Sequence, residues 1–405
     1  MSIKINQINI PKLRFSEFSD EWNKQSLKEI SKIYDGTHQT PKYVKSGIKF
    51  VSVEDINNIN GSNKFITEEA FEKDFRIKPQ KDDILMTRIT AGIIGATSVI
   101  KDNNPLAYYV SLSLIRKTTN IDVDFLNQII NSSQFKHELY KRIIHVAFPK
   151  KINLNDIGDC KLSIPLVKEQ QKIAEFLESA DSWIENLKQQ KKSLEVYKKG
   201  MMQKIFAQEI RFKDENGNDF LKWEEKKLSE TGNIITGTTP PTKIDDYYGG
   251  DFPWITPTDI TSNKNIHTSN KLLTKKGLEK GRFVPKNSLL VTCIASIGKN
   301  SILRVDGSCN QQINAITLNK NNNVDFLYYL IEQNKNTLIS FAGAGGMQML
   351  NKNDFSNIKF KMPTFHEQQK IADFLTSIDK IIDSKQEQIV KADEWKKGLM
   401  QGLFV

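Results

Sequence analysis

Hydrophobic and polar positions along the 405 residues fall into two regimes, and each regime occurs twice. In the first, Ile48–Val53, Asp83–Ile89, Ala96–Ile100 and Tyr109–Ile115 are rich in β-branched and aromatic residues and bounded by Gly, Pro, Asn and Asp, which predicts strands. Apolar residues three and four apart over Asp124–Asn131 and Gln134–His145 predict helices. The same order returns with strands at Trp254–Thr256, Ser288–Ile294, Ser301–Val305 and Ile313–Leu318, then helices at Asp325–Gln333 and Lys335–Ser340. Strands followed by helices place both stretches in the α+β class. The second regime begins after Pro165 and again after Pro363. Ile173, Phe176, Leu177, Ala180, Ile184 and Leu187 recur at helical spacing among long charged residues, as do Ile371, Phe374, Leu375, Ile378 and Ile382. Asp and Ser in Ala180-Asp181-Ser182 and Ser377-Ile378-Asp379 are N-capping residues, so a short helix is expected to lead into a longer one at each place. From Asp181 to Phe206 that longer helix would rise about 39 Å. Lys191 and Lys385 lie on the apolar line and are expected to reach out along the helix edge.

The helical stretches are copies of one another. Pro165–Phe206 returns as Pro363–Phe404, 198 positions later and without a gap. Both contain Glu-Gln-Gln-Lys-Ile-Ala, starting at Glu169 and Glu367, and both close on Lys-Lys-Gly-x-Met-Gln-x-x-Phe. Weaker matches extend through the fronts: Leu13-Arg14-Phe15 with Ile210-Arg211-Phe212, Trp22 with Trp223, Gly36-Thr37 with Gly237-Thr238, and Val123–Leu126 with Val324–Leu327. A repeat of about 200 residues is domain-sized, far longer than a solenoid repeat. The expected division is a globular domain over 1–164, a helical region over 165–206, a second globular domain over 207–362 and a second helical region over 363–405. Two copies of one unit are expected to pack about an internal pseudo-two-fold axis with the long helices antiparallel, bringing Met1 near Val405.

Composition narrows the function classes. No stretch of 18 apolar residues is present and the N-terminal residues lack the charged and apolar regions of a leader, so no membrane association and a cytoplasmic location are expected. Cys160, Cys293 and Cys309 have no metal-ligand or disulfide spacing. The net charge of +10 attracts polyanions, although a lysine-rich protein without a nucleic-acid partner carries a similar charge. Ile297-Gly298-Lys299-Asn300 lacks the upstream glycine and the hydroxyl residue of a P-loop. Gly343-Ala-Gly345-Gly346 has no strand–helix dinucleotide-binding context. Asn104-Pro105-Leu106 departs at two places from the Asn-Pro-Pro-aromatic motif of amino-methyltransferases, and the five histidines are scattered. No catalytic residue and no metal site is assigned.

The doubled Pro-x-x-x-Glu-Gln-Gln-Lys-Ile-Ala-[Glu/Asp]-Phe-Leu segment, its Lys-Lys-Gly-x-Met-Gln-x-x-Phe ending, Gly36-Thr37 and Gly237-Thr238, Ser296-Ile297-Gly298-Lys299 and Cys309-Asn310-Gln311-Gln312 together resemble the specificity (S) subunit of type I restriction–modification systems. The resemblance covers essentially the whole chain, and its helical motif is the specific part. It implies two target recognition domains, each reading one half of a bipartite asymmetric site in double-stranded DNA. It further implies paired helices that set the spacer and dock two methyltransferase (M) subunits, with nuclease–translocase (R) subunits joining the assembly. By the same resemblance the chain is not an enzyme and binds no cofactor itself. S-adenosylmethionine, ATP and Mg would be used by the other subunits. Gln170, Ile173, Phe176 and Leu177, with Gln368, Ile371, Phe374 and Leu375, are the expected docking positions.

Base readout and phosphate contact need donors and acceptors on loops. The candidates in the first unit are Thr37, His38, Gln39, Lys42, Arg88, Thr90, Lys150 and Lys151. In the second they are Thr238, Thr239, Thr242, Lys243, Lys299, Asn300, Gln311, Gln312, Gln348 and Asn351. Arg88 and Gln312 stand out because both side chains suit bidentate contact with a base edge. The alternative for each position is a solvated turn. Two other readings of the whole chain compete: a self-contained DNA-modifying or DNA-cleaving enzyme, and a duplicated coiled-coil scaffold with no DNA role.

Overall fold

The computed structural model describes residues 9–342 and 348–405, and its contacts divide the chain into two units. One unit runs up to Lys188 and resumes over Glu387–Val405; the other is Gln189–Gln386. The glycine-rich stretch beginning at Gly343 and the residue Met1 lie outside the described residues.

In the first unit the elements are β1 (Asn23–Ser26), α1 (Leu27–Ile30), β2 (Ser31–Asp35), β3 (Ile48–Val51), β4 (Phe65–Ile66), α2 (Glu68–Asp74), β5 (Ile84–Thr87), β6 (Ile89–Thr90), β7 (Thr97–Val99), β8 (Leu106–Tyr108) and β9 (Leu112–Lys117). Then follow α3 (Val123–Ile130), α4 (Ser133–Tyr140), β10 (Lys150–Lys151), α5 (Leu154–Gly158), β11 (Lys161–Ile164) and the start of α6 (Val167–Phe206). A four-stranded sheet in the order β2-β9-β5-β7 is the centre. Its inner strand β5 is covered on both faces, so its sequence, Ile-Leu-Met-Thr, is an apolar run rather than an alternation. In β5, Ile84 and Met86 enter the core beneath α3 and α4, while Leu85 enters a second cluster with Val51, Tyr108, Leu112 and Leu114. That second layer is the small sheet β4-β3-β8. The pairing of β1 with β11 across more than 130 residues had no signal in the local pattern.

The second unit repeats this plan with β12 (Glu224–Lys227), α7 (Leu228–Thr231), β13 (Gly232–Thr236), β14 (Tyr248–Ile255), β15 (Asn265–Ile266), β16 (Leu272–Leu273), α8 (Lys275–Lys280), β17 (Ser288–Thr292), β18 (Asn300–Leu303), β19 (Ser308–Cys309) and β20 (Ile313–Leu318). It continues through α9 (Val324–Gln333), α10 (Lys335–Ser340), α11 (Lys352–Asn357), β21 (Lys359–Met362) and the start of α12 (Phe365–Leu403). The central order is β13-β20-β17-β18-β15. Leu289 and Val291 face one core and Leu290 the other, as in β5.

Both long helices run unbroken, against the expected interruption near Ala180 and Ser377. At 40 residues α6 rises about 60 Å. The residues read as caps have other employment: Asp181 pairs with Lys396, and Asp379 with Lys198 at 2.5 Å. A carboxylate held by a side chain elsewhere no longer competes for the helix backbone. Lys191 reaches along the helix edge to Glu195 at 3.4 Å.

Within each unit the two helix segments are antiparallel. In the first, Ile173 and Leu177 near the start of α6 share a core with Leu403 and Phe404 at the end of α12, while Ile184 and Leu187 further along α6 pack with Ile389 and Ala392. In the second, Ile371 and Leu375 meet Met202 and Ile205. The N-terminal segment also meets the end of α12, where the Leu13 N–H donates to the Gly402 carbonyl at 2.9 Å.

One motif organises each unit. Glu169, 2% exposed, accepts two hydrogen bonds from the Arg14 guanidinium, both 2.8 Å, and one from the Trp22 indole at 3.3 Å. Glu367, fully buried, accepts from Arg211 at 3.1 and 2.7 Å and from Trp223 at 3.1 Å. The neighbouring Gln170 accepts from the Asp122 N–H before α3 and donates to the Pro165 carbonyl; Gln368 does the same with Asn323 and Pro363. Trp22 then packs edge-on against Phe125 and Phe404, and Trp223 against Phe326 and Phe206. Removing one partner of a buried ion pair strands the other charge, at a typical cost of about 3–5 kcal/mol. Glu169→Ala should therefore destabilise the first unit by about 3 kcal/mol. Denaturant unfolding of the full chain, with Trp223→Phe so that the neighbouring Trp22 dominates the indole signal near the motif, measures the loss.

Candidate nucleic-acid interface

The first unit brings most of its sequence candidates onto adjoining loops. Gly36 lets the chain after β2 run against β8, because a Cβ there would lie 2.2 Å from the Tyr108 carbonyl oxygen. The loop is then held by Thr37 N–H to Tyr108 O at 3.3 Å and Val110 N–H to Thr37 O at 3.0 Å. The next residue, Ser111, accepts at its carbonyl from the N–H of Arg88 at 2.9 Å, and Ile152 N–H donates to Arg88 O at 3.0 Å. Strand β6 pairs with β10, setting Thr90 opposite Lys150 and Ile89 opposite Lys151. Thr37, Arg88, Thr90, Lys150 and Lys151 thus share a continuous backbone network, although 114 positions separate the outermost two. His38 and Gln39 extend outward, and Lys42 is exposed further along the same loop.

Arg88 is the most unusual of these. Its side chain is 11% exposed, its Nε has no hydrogen-bond partner, and its nearest acidic oxygen, on Asp35, lies 4.0 Å away. That same Asp35 oxygen is 2.8 Å from His38 Nε2. Burial pushes the Arg88 guanidinium below its ordinary pKa, and the Asp35 charge only partly offsets this. A buried donor without an acceptor is costly, and an external acceptor would relieve it.

The second unit builds the same network with other side chains. Gly237 makes the same close approach, with a Cβ position 2.2 Å from Cys309 O, and Thr238 N–H donates to Cys309 O at 2.8 Å. Cys293 N–H donates to Gln312 O at 2.8 Å, and Leu350 N–H to Cys293 O at 2.8 Å. By these bonds Cys293 stands where the first unit has Arg88, Gln312 where it has Ser111, and Gln348 where it has Lys150. Thr239 donates to Gln311 Oε1 at 2.6 Å, and Asn310 to Gln312 Oε1 at 3.0 Å, which joins the two loops in one polar surface. Gln348 is exposed beside them, its carbonyl accepting from Ala295 N–H at 3.2 Å. Thr242 and Lys243 are exposed on the turn after Pro241, and Lys299 is exposed beyond the β17–β18 turn.

Four sets of candidates are redirected by these contacts. Asn300 is 3% exposed and donates to Glu332 at 2.8 Å, so it faces inward under α9. Asn351 caps α11, accepting from Asp354 N–H at 2.9 Å and donating to its carboxylate at 2.7 Å. Gln170 and Gln368 are spent on the two motifs above, and Ile173, Leu177, Ile371 and Leu375 lie in the cores, none more than 1% exposed. Such residues offer no surface to a second protein. Phe176 and Phe374 remain half-buried against Phe15 and Phe212. The helices instead expose Trp183 and Trp395, in edge contact at 6.0 Å in the first unit. The repeat-equivalent positions in the second unit, Ile381 and Tyr197, are also exposed. The apolar stripe gave no hint of them because they fall outside it.

Among the described residues no group of three or more His, Cys, Asp or Glu is placed to hold a metal, and no helix is long and apolar enough to cross a membrane. Cys293, at the position equivalent to Arg88, has its thiol pushed up to about 12 by burial, as have Cys160 and Cys309. A thiol held so far above neutrality is a poor nucleophile near neutral pH. With an aromatic disulfide reagent near pH 8, the native chain should show no fast thiol, and all three should react once it is unfolded.

Comparison with known proteins bears on the family and the fold. The family model for the type I restriction modification DNA specificity domain matches twice, over residues 19–196 and 221–392. The MjaIX type I restriction enzyme specificity subunit of Methanocaldococcus jannaschii is 32% identical over 190 residues, covering 45% of this chain and 44% of that one. The MjaX specificity subunit of the same organism is 26% identical over 421 aligned positions, covering 98% and 96%. The fold resembles the crystal structure of the type I restriction–modification S subunit from M. genitalium, with a TM-score of 0.58 at 15% identity over 98% of this chain and 99% of that one. A chain from a structural study of type I system assembly and conformational transition gives 0.61 at 15% identity, over 94% and 96%.

Proposed function

The chain belongs to the family of type I restriction–modification DNA specificity domains, which it carries twice, and on that premise we propose that it is the sequence-reading subunit of a type I restriction–modification complex. Each unit reads one half of a bipartite, asymmetric site in double-stranded DNA. The loop network of Thr37, Arg88, Thr90, Lys150 and Lys151 is the reading surface of the first unit, and that of Thr238, Thr239, Gln311, Gln312 and Gln348 of the second. The observation that carries this is the shared backbone network bearing different side chains. Its ladder is indifferent to side-chain identity, so two readers with different base preferences stand on one frame. Arg88, half-satisfied and poised beside Asp35, is the base-reading residue of the first unit, with Lys150 and Lys151 on phosphates. Gln312 takes the corresponding role in the second.

The chain supplies recognition, and the chemistry belongs to its partners. Exposed aromatic and aliphatic residues at repeat-equivalent places on the helices, Trp183 with Trp395 and Ile381 with Tyr197, fit one methyltransferase subunit per unit. R subunits join that assembly, and S-adenosylmethionine, ATP and Mg are used by the M and R subunits. The continuous helices set the spacer between half-sites.

Mapping of methylated bases in DNA exposed to the assembled complex should give a two-part motif with an unspecified spacer; a single contiguous motif would sink the proposal. Arg88→Ala should relax the motif in one half only, costing about 1–3 kcal/mol of discrimination there, and Gln312→Ala should do so in the other half. Trp395→Ala and Tyr197→Ala should each reduce the methyltransferase recovered with the chain by about one subunit, read by mass measurement of the intact complex.

A further inference from the structure

Resting on that reading of the first unit, we infer that the loop between α4 and β10 is an apolar wedge that enters the DNA base stack within one half-site, with Phe148 at its point. The loop is closed at its base by two backbone pairs. Ile144 N–H donates to Lys151 O at 2.8 Å, and β10 pairs with β6, so Lys150 lies opposite Thr90. Between these ties the chain displays Val146, 98% exposed, and Phe148, 91% exposed. Ile93, 75% exposed, adds a third apolar side chain from the turn beyond β6. His145 is anchored to the end of α4, its ring 4.6 Å from that of Tyr140 and its Nε2 3.0 Å from the Tyr140 carbonyl.

Burial of a phenylalanine or a valine is favourable, so displaying these side chains in water forgoes stabilisation. The surroundings say what covers them. Lys150 and Lys151 are exposed beside the tip, and among the described residues neither forms an ion pair. Arg88, with its unpartnered Nε, lies one residue from the strand pairing that supports the loop. Apolar side chains beside two lysines without ion pairs fit a target with an anionic rim and an apolar interior, which describes stacked bases between phosphates. Insertion of such residues at a base step partly unstacks it and bends the duplex. The second unit has Gly-Ala-Gly-Gly-Met over 343–347, where the first has His-Val-Ala-Phe-Pro over 145–149. A glycine stands at the position of Phe148 in that sequence and brings no side chain to insert, so the distortion belongs to one half-site only.

The test uses the full complex with its methyltransferase subunits on a duplex carrying the mapped motif. Permanganate reactivity of thymines and 2-aminopurine fluorescence, scanned through both half-sites, report unstacking. The wild type should show one unstacked step in the half-site whose motif relaxes in Arg88→Ala. Phe148→Ala should abolish that signal and weaken binding about tenfold, with the salt dependence unchanged, because stacked aromatics act without releasing counterions. Phe148→Leu should keep part of both effects. Lys150→Gln should instead lower the salt slope by about one. Unchanged affinity and reactivity in Phe148→Ala would overturn the wedge. So would a loss of affinity with no unstacked step in the wild type, or a loss of the methyltransferase subunit, which would make the tip a protein contact. If Arg88→Ala and Lys150→Gln also leave DNA binding intact, the reading surface itself is misassigned, and the wedge falls with it.

Discussion

A carboxylate buried beneath a tryptophan is the constraint on which each unit rests. Glu169 and Glu367 lose their water, and an unpaired charge in that position could not be sustained. The guanidinium that answers each one comes from far back in the chain, Arg14 for Glu169 and Arg211 for Glu367. The pair therefore fixes the entry of the unit to the start of its long helix. The adjacent glutamine then fixes the start of α3 or α9 to the same turn. Together these bonds settle how the globular front stands on the helix. They account physically for the Glu-Gln pair, as burial in the cores does for the Ile-Ala, that both helices share beneath fronts that otherwise diverge.

The divergence is equally physical. Above the motif, the loops are held by main-chain N–H and C=O groups: Thr37 to Tyr108, Arg88 to Ser111, and their counterparts Thr238 to Cys309 and Cys293 to Gln312. Main-chain bonds leave the side chain free to change. An arginine in one unit and a cysteine in the other occupy equivalent places without altering the frame. The buried sheet beneath follows the same logic, since β5 and β17 split successive residues between two cores in the same register. Rigid support with variable tips lets one fold read different targets.

The elements with strong periodicity were legible in the chain. Strand β20 and helix α10 fall where the pattern predicted them, while α9 begins one residue earlier than predicted and α3 is shifted by one residue at each end. Strands β1 and β11 were not legible, since Asn23–Ser26 is polar and owes its extended form to a distant partner. The two long helices were placed correctly but expected to break, because Asp and Ser look like caps wherever a partner elsewhere is unknown. Ile173 and Leu177 were assigned to an external partner because a stripe shows that a face is buried without showing against what. For the recognition surface, residue types on polar loops were readable. That Asn300 turns inward and Asn351 caps a helix was not.

Duplication, the α+β order within each copy, and the two long amphipathic helices are properties of the sequence alone, because composition and periodicity are local. The tertiary structure decided which half of each helix belongs to which unit, and which loops meet. Thr37, Arg88 and Lys150 converge through backbone pairs between segments some 20 to 75 positions apart. Such pairs carry no side-chain signature, since every non-proline residue has the same N–H and C=O to offer. Register across those distances is set by the packed sheet and by a buried salt bridge, and neither exists until the chain has folded.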